Sequence, residues 1–185
     1  MNIVEQIRQF VEEECKKPTS HYGYEPFPKH FVPMVKYAEQ LAEQFEIDNE
    51  VIILAGWLHD IGSIIYGRKD HHITGAKIAE EKLMELCYSE NKIKLIKKCI
   101  LNHRGSVESN RESVEEQIIA DADALCNFDM IDGLFSAALV FEKKNQSEAR
   151  ISVREKLIRK WNKLHFEESK KLIKPKFDAA MLLLE

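Results

Sequence analysis

Apolar residues recur along nearly the whole chain at intervals of three and four, and the strict alternation of a half-buried strand is scarce. A period near 3.6 places such residues on one face of a helix, so the chain is expected to fold as an all-α helical bundle. The spacing predicts helices over about residues 3–15, 29–45, 49–60, 70–87, 91–103, 114–142, 146–165 and 168–184. A bend is expected near Gly133 and an interruption at Pro175. The stretch "KKPTSHYGYEPFPK" reads as a loop after the first helix, and Gly62, Gly67 and Gly105 read as helix punctuation. A chain of 185 residues, 44% of them hydrophobic, is expected to form a single domain burying about two thirds of its unfolded surface. Its motif-bearing core spans about residues 25–140, with the helices of 146–185 packed on it.

Composition narrows the class of function. The longest apolar stretch, Val51 to Leu58, is far short of the roughly 20 residues that span a bilayer, and the N-terminus is acidic where a signal peptide is basic. A soluble, cytoplasmic protein with no membrane partner is therefore expected. Cys15, Cys87, Cys99 and Cys126 form no Cys-x-x-Cys pair, which points to free thiols rather than a disulfide framework or a thiolate zinc site. The net charge is −4 and the basic residues form no long tract, so nucleic acid is not an expected partner. Self-association as a homo-oligomer is compatible with all of this.

Several ionisable residues stand on faces that should be buried. His30 precedes Met34, Ala38, Leu41 and Phe45 at helical spacing, and His59 follows Ile52 and Ala55 by seven and four residues. His103 follows Ile96, Cys99 and Ile100, and Asp121 falls in phase with Val114, Ile118 and Leu125. Burying several such groups unpaired costs several kcal/mol each. One divalent transition metal (Mn, Fe, Co, Ni or Zn) meets the need of all of them, because it balances carboxylates and accepts imidazole lone pairs. Neighbours on a helix diverge by about 100°, so His59 and Asp60 can face one ion only near a helix end, which Gly62 would allow.

With these residues in view, the chain resembles the HD-domain superfamily of metal-dependent phosphohydrolases. His30, then His59-Asp60 in "LHDIG", then Asp121 in "IIADADAL" look like its H…HD…D signature. The resemblance implies an all-helical domain with these four residues around one divalent ion, and hydrolysis of a phosphomonoester, a phosphodiester or a nucleotide phosphate. The dinuclear branch adds histidines between the HD pair and the last aspartate. "ILNHRGS" supplies His103, and "DHHITGAKIAEE" supplies His71 by the family pattern, whereas helix phase with Ala76, Ala79, Leu83 and Leu86 would turn His72 inward. One or two ions per chain are compatible with this set. Arg104 follows His103 where the cyclic dinucleotide phosphodiesterases carry a second histidine, so that activity is not expected.

The expected function is hydrolysis of a small nucleotide or other phosphorylated metabolite, with Asp60 as metal ligand positioning the nucleophilic water. Arg68, Lys69 and Arg104 are the candidates to bind substrate phosphate. Tyr22, Tyr24 and Phe27, in the loop before His30, are placed to cover the site. His165 reads as structural, His21 as surface or loop packing, and Asp123, Asp129 and Asp132 as solvated positions rather than the alternative, hydrogen-bond partners of the ligands. Two alternatives fit the same ligands: a diiron oxygenase of HD-domain type, and a non-catalytic, metal-supported nucleotide-binding regulatory module. The motifs of ferritin-like bundles and of His-Glu-x-x-His proteases are absent.

Overall fold

The computed structural model describes residues 2–104 and 111–185, and Gly105 falls outside them. Among these residues the fold is all-α. It comprises α1 (Ile3–Lys16), α2 (Val32–Ala42), α3 (Asn49–Leu58), α4 (Ile61–Tyr66), α5 (His71–Glu85), α6 (Glu90–Asn102), α7 (Val114–Asp129), α8 (Ile131–Ser136), α9 (Gln146–Asn162) and α10 (Glu167–Leu183). A π-helical turn, Phe27–Phe31, leads into α2, and a second, Ala137–Phe141, extends α8. The side chains of Asn2, Asp48, Ser113 and Asn145 accept backbone N–H groups at the starts of α1, α3, α7 and α9, satisfying donors that a helix leaves free. Cys15, Cys99 and Cys126 are buried free thiols and Cys87 is exposed.

The apolar run of α3 is buried on every side because the helix is central, touching α1, α2, α6 and α7. Helix α7 is likewise enclosed, by α2, α6, α9 and α10, and twelve of its residues are buried. No single described helix is long and apolar enough to cross a membrane.

Three boundaries differ from expectation. The helix expected over 49–60 stops at Leu58, and a separate short helix, α4, starts at Ile61. The bend expected near Gly133 falls instead at Met130, where the chain turns by 84°. Pro175 does not interrupt α10; it is exposed, as is Lys171, whose carbonyl it leaves without an N–H partner.

Gly62 is not a helix stop but a point of close approach between α4 and α5. A methyl group there would collide with the His71 carbonyl oxygen and lie 2.6 Å from the Gly75 nitrogen, both backbone atoms that cannot rotate aside. Gly62→Ala is therefore expected to cost about 3 kcal/mol and to move His71 away from Asp60. Urea unfolding measures the first effect; a midpoint equal to the parent's would contradict so tight a contact.

Candidate metal centre

Helix ends build this site. His59 terminates α3 and Asp60 occupies the turn before α4, with φ −114° and ψ 13°. That turn lets two adjacent side chains converge, as their helical divergence would not. His30 lies in the π-helical turn before α2, where the Val32 N–H reaches back to the Phe27 carbonyl. His71 opens α5 after Asp70, which adopts the left-handed conformation at φ 51°. His103 terminates α6, held there by Arg111, which donates to the carbonyls of Asn102 and Arg104 on either side of it.

Four imidazoles surround one carboxylate. His30 Nε2 lies 2.9 Å from His59 Nε2 and 3.6 Å from Asp60 Oδ2. On the other side, Asp60 Oδ1 lies 3.1 Å from His71 Nε2 and 3.6 Å from His103 Nε2, and these two nitrogens are 3.3 Å apart. Asp60 thus belongs to two groups, with His30 and His59 and with His71 and His103, each compact enough to hold an ion.

The hydrogen bonds fix which ring nitrogens are bare. Nδ1 of His59, His71 and His103 donates to the carbonyls of Gly56, Arg68 and Ile100 at 2.8, 2.8 and 2.6 Å. Each neutral ring therefore presents a lone pair at Nε2, so His71 and His103 confront each other with no proton between them. Burial pushes the His59 imidazolium down to about 4 and lowers His71 as well, which favours the neutral rings. Burial also opposes ionisation of Asp60, but the histidines around it, His103 and His30 foremost, outweigh it and hold the carboxyl well below its usual range. Asp60 Oδ1 is nevertheless buried without a hydrogen bond, as is His30 Nδ1. An uncompensated oxygen facing bare imidazole nitrogens fits a divalent transition metal.

The two aspartates of α7 take opposite parts to those expected. Asp121 is 1% exposed, and its carboxylate accepts from the backbone N–H groups of His165 and Phe166 and from His165 Nδ1, all at 2.7–3.1 Å. It anchors the start of α10 and has no oxygen left for the cluster. Asp123, expected to be solvated, is buried instead; its Oδ1 lies 3.8 Å from His30 Nε2 and its Oδ2 accepts from Lys160 at 2.5 Å. Burial works against its ionisation, but Lys160 and then His30 outweigh it and keep the carboxyl far below the usual range. Two positions on a helix differ by about 200°, so only one of this pair can face the site. The sequence signal for Asp123 is Asn127, one turn on, a second polar residue buried on the same face.

The cluster floors a cleft of about 830 Å³, within the range usual for small-molecule sites. Arg104 lines it and approaches His72 Nδ1 at 3.3 Å, so His72 lies beside the cluster rather than in it. Arg68 lines the cleft while pairing with Glu142 at 3.4 Å; Lys69 is exposed and does not line it. Of the loop aromatics only Tyr22 reaches the cleft, edge-on to Phe141 at 5.6 Å, whereas Phe27 stacks on Trp57. Lys156 and Lys160 of α9 also line it, positions that no sequence motif marked.

Residues 29–127 match the family model described as HD domain. A tRNA (cytidine(56)-2'-O)-methyltransferase of Picrophilus torridus is 26% identical over 140 residues, 68% of this chain and 39% of that protein. Ribonuclease Y of Enterococcus faecalis is 33% identical over 96 residues, 52% of this chain and 17% of that protein. The chain thus spans well under half the length of either relative. Among solved structures, Bacillus subtilis YpgQ superposes with a TM-score of 0.72 at 18% identity, over 97% of this chain and 92% of that one. An HD-superfamily hydrolase of Bacillus thuringiensis gives 0.71 at 18%, over 97% and 91%. By its matched segment, which covers more than half of its length, this chain belongs to the HD domain family.

Proposed function

We propose that the chain is a metal-dependent phosphohydrolase acting on a small nucleotide or other phosphorylated metabolite. His30, His59, Asp60 and Asp123 would hold one divalent ion, and Asp60, His71 and His103 a second. The observation that carries this reading is the Asp60 carboxylate, with one oxygen buried without a hydrogen bond, set between two pairs of imidazoles at the floor of a cleft lined by Arg104 and Lys160. A divalent ion, when bound, supplies a water nucleophilic near neutral pH and polarises the phosphoryl oxygen.

The chain's own groups do the rest. Asp60 Oδ1 is placed to accept a hydrogen bond from the attacking water and so to set its direction. Arg104 offers a planar fork to phosphoryl oxygens, and Lys160 adds charge while holding Asp123 in place. Tyr22 and Phe141 give the cleft an aromatic wall for an organic moiety. The solved complex of Bacillus subtilis YpgQ holds ADP, which supports a phosphate-bearing occupant for this cleft.

Protein purified without chelators is expected to carry one or more transition-metal ions per chain. With Mn, Co, Ni or Mg it is expected to release phosphate in a screen of nucleotides and phosphate esters. A full metal load with no release from any substrate would sink the hydrolase reading in favour of a binding module, and iron-dependent oxygen consumption would replace it with an oxygenase. Recovery of only trace metal would remove both versions of the site.

A further inference from the structure

Helix α9 turns a row of cations toward the cleft. Lys156, Arg159 and Lys160, with Lys163 at the C-terminal cap, all line it, at spacings of three, four and seven residues that share one helix face. Alongside them the helix buries Ala149, Val153 and Leu157, so the row runs at the edge of the buried face. Like charges at these spacings repel one another and weaken a helix. The cleft as a whole is lined by seven lysines and arginines against four carboxylates, on a chain whose net charge is −4. The cleft lining thus has an excess of basic over acidic side chains on a chain where acidic ones outnumber basic ones.

The members of the row are not equivalent. Lys160 reaches Asp123 at 2.5 Å, which joins the row to the metal centre. Arg159 is 3.8 Å from Glu155 with most of its side chain exposed, a weak restraint. Lys156 has no hydrogen bond or ion pair among the described residues, and burial, with Lys160 beside it, pushes its ammonium down to about 8. At 1.5 Å per residue the row is about 10 Å long, more than a single phosphoryl group can occupy.

We propose that this face of α9 is a subsite for consecutive phosphoryl groups, so that the substrate carries at least two in series. One lies at the metal centre beside Lys160, and the next lies on Lys156 and Arg159. The inference rests on the phosphohydrolase reading and narrows its substrate to compounds with a linear polyphosphate. A cleft with an excess of basic side chains, on a chain of net charge −4, favours a small polyanion over a nucleic acid.

The test is calorimetric titration of the full chain, freed of metal, with inorganic tripolyphosphate, pyrophosphate and orthophosphate. Tripolyphosphate is expected to bind at least about tenfold more tightly than orthophosphate. Lys156→Met, which keeps the aliphatic stem, and Arg159→Ala, at an exposed position, should each weaken tripolyphosphate about tenfold and orthophosphate less than about twofold. Equal affinity for the three anions, or variants that bind as the parent does, overturns the subsite. So does tighter binding of a single-stranded oligothymidylate than of tripolyphosphate, which would reassign the row to nucleic acid. Because no metal is present, the subsite stands or falls separately from catalysis. Tripolyphosphate binding without phosphate release by the metal-loaded chain would fault only the hydrolase reading, and release by a chain with unaffected α9 variants would fault only the subsite.

Discussion

Asp60→Ala is expected to abolish bound divalent metal and to lower kcat/KM by roughly a thousandfold or more, while the far-ultraviolet helical signal stays that of the parent. The effect should exceed that of any single histidine, because Asp60 alone is shared by both groups of imidazoles. His103→Ala provides the graded comparison. It removes one lone pair from the His71 side and leaves His30, His59 and Asp123 in place, so metal content should fall from about two ions to about one. Metal analysis of the two variants after dialysis separates the cases. An Asp60→Ala protein that keeps its full metal content would show that the carboxylate between the imidazoles is not a ligand, and an unchanged content in His103→Ala would leave a mononuclear centre.

The second large effect separates the two aspartates of α7 by stability rather than chemistry. Asp121→Asn places an NH2 group among three donors, two of them backbone N–H groups, in a setting closed to water. The loss of these charge-assisted bonds is expected to destabilise the protein by about 3 kcal/mol. That corresponds to a fall of roughly 10 °C in Tm for a chain of this size, with metal content unchanged. Asp123→Asn should do the reverse, lowering metal affinity about 10–100-fold and releasing Lys160 from its partner, with the smaller change in Tm. Thermal melts paired with metal analysis decide between them. If Asp121→Asn stripped the metal at an unchanged Tm, the parts assigned to the two residues would have to be exchanged.

These contrasts mark where periodicity stops being informative. Helix α3 and the inward placement of His30, His59 and His103 were legible because apolar residues at helical spacing from them, Met34, Ala38 and Leu41 for His30, are in fact buried. The choice between His71 and His72 was not. Helix phase favoured His72, but α5 begins at His71 after a left-handed Asp70, and that first turn rather than the later apolar stripe aims the ring at Asp60.

What the sequence determined by itself is the all-α class, set by the 3.6-residue period of its apolar residues, and the grouping of His30, His59, Asp60 and His103, set by ionisable groups on apolar faces. Only the tertiary structure decided between Asp121 and Asp123, placed Lys160 against the latter, and turned the cations of α9 into the cleft. The physical reason is common to all three. Apolar phase reports that a face is covered, not by what, and α7 is covered on nearly every side. On such a helix the phase that turned Asp121 inward could not show that Asp123 is buried as well. Which one meets imidazoles and which one caps the start of α10 depends on neighbours more than 40 residues away along the chain.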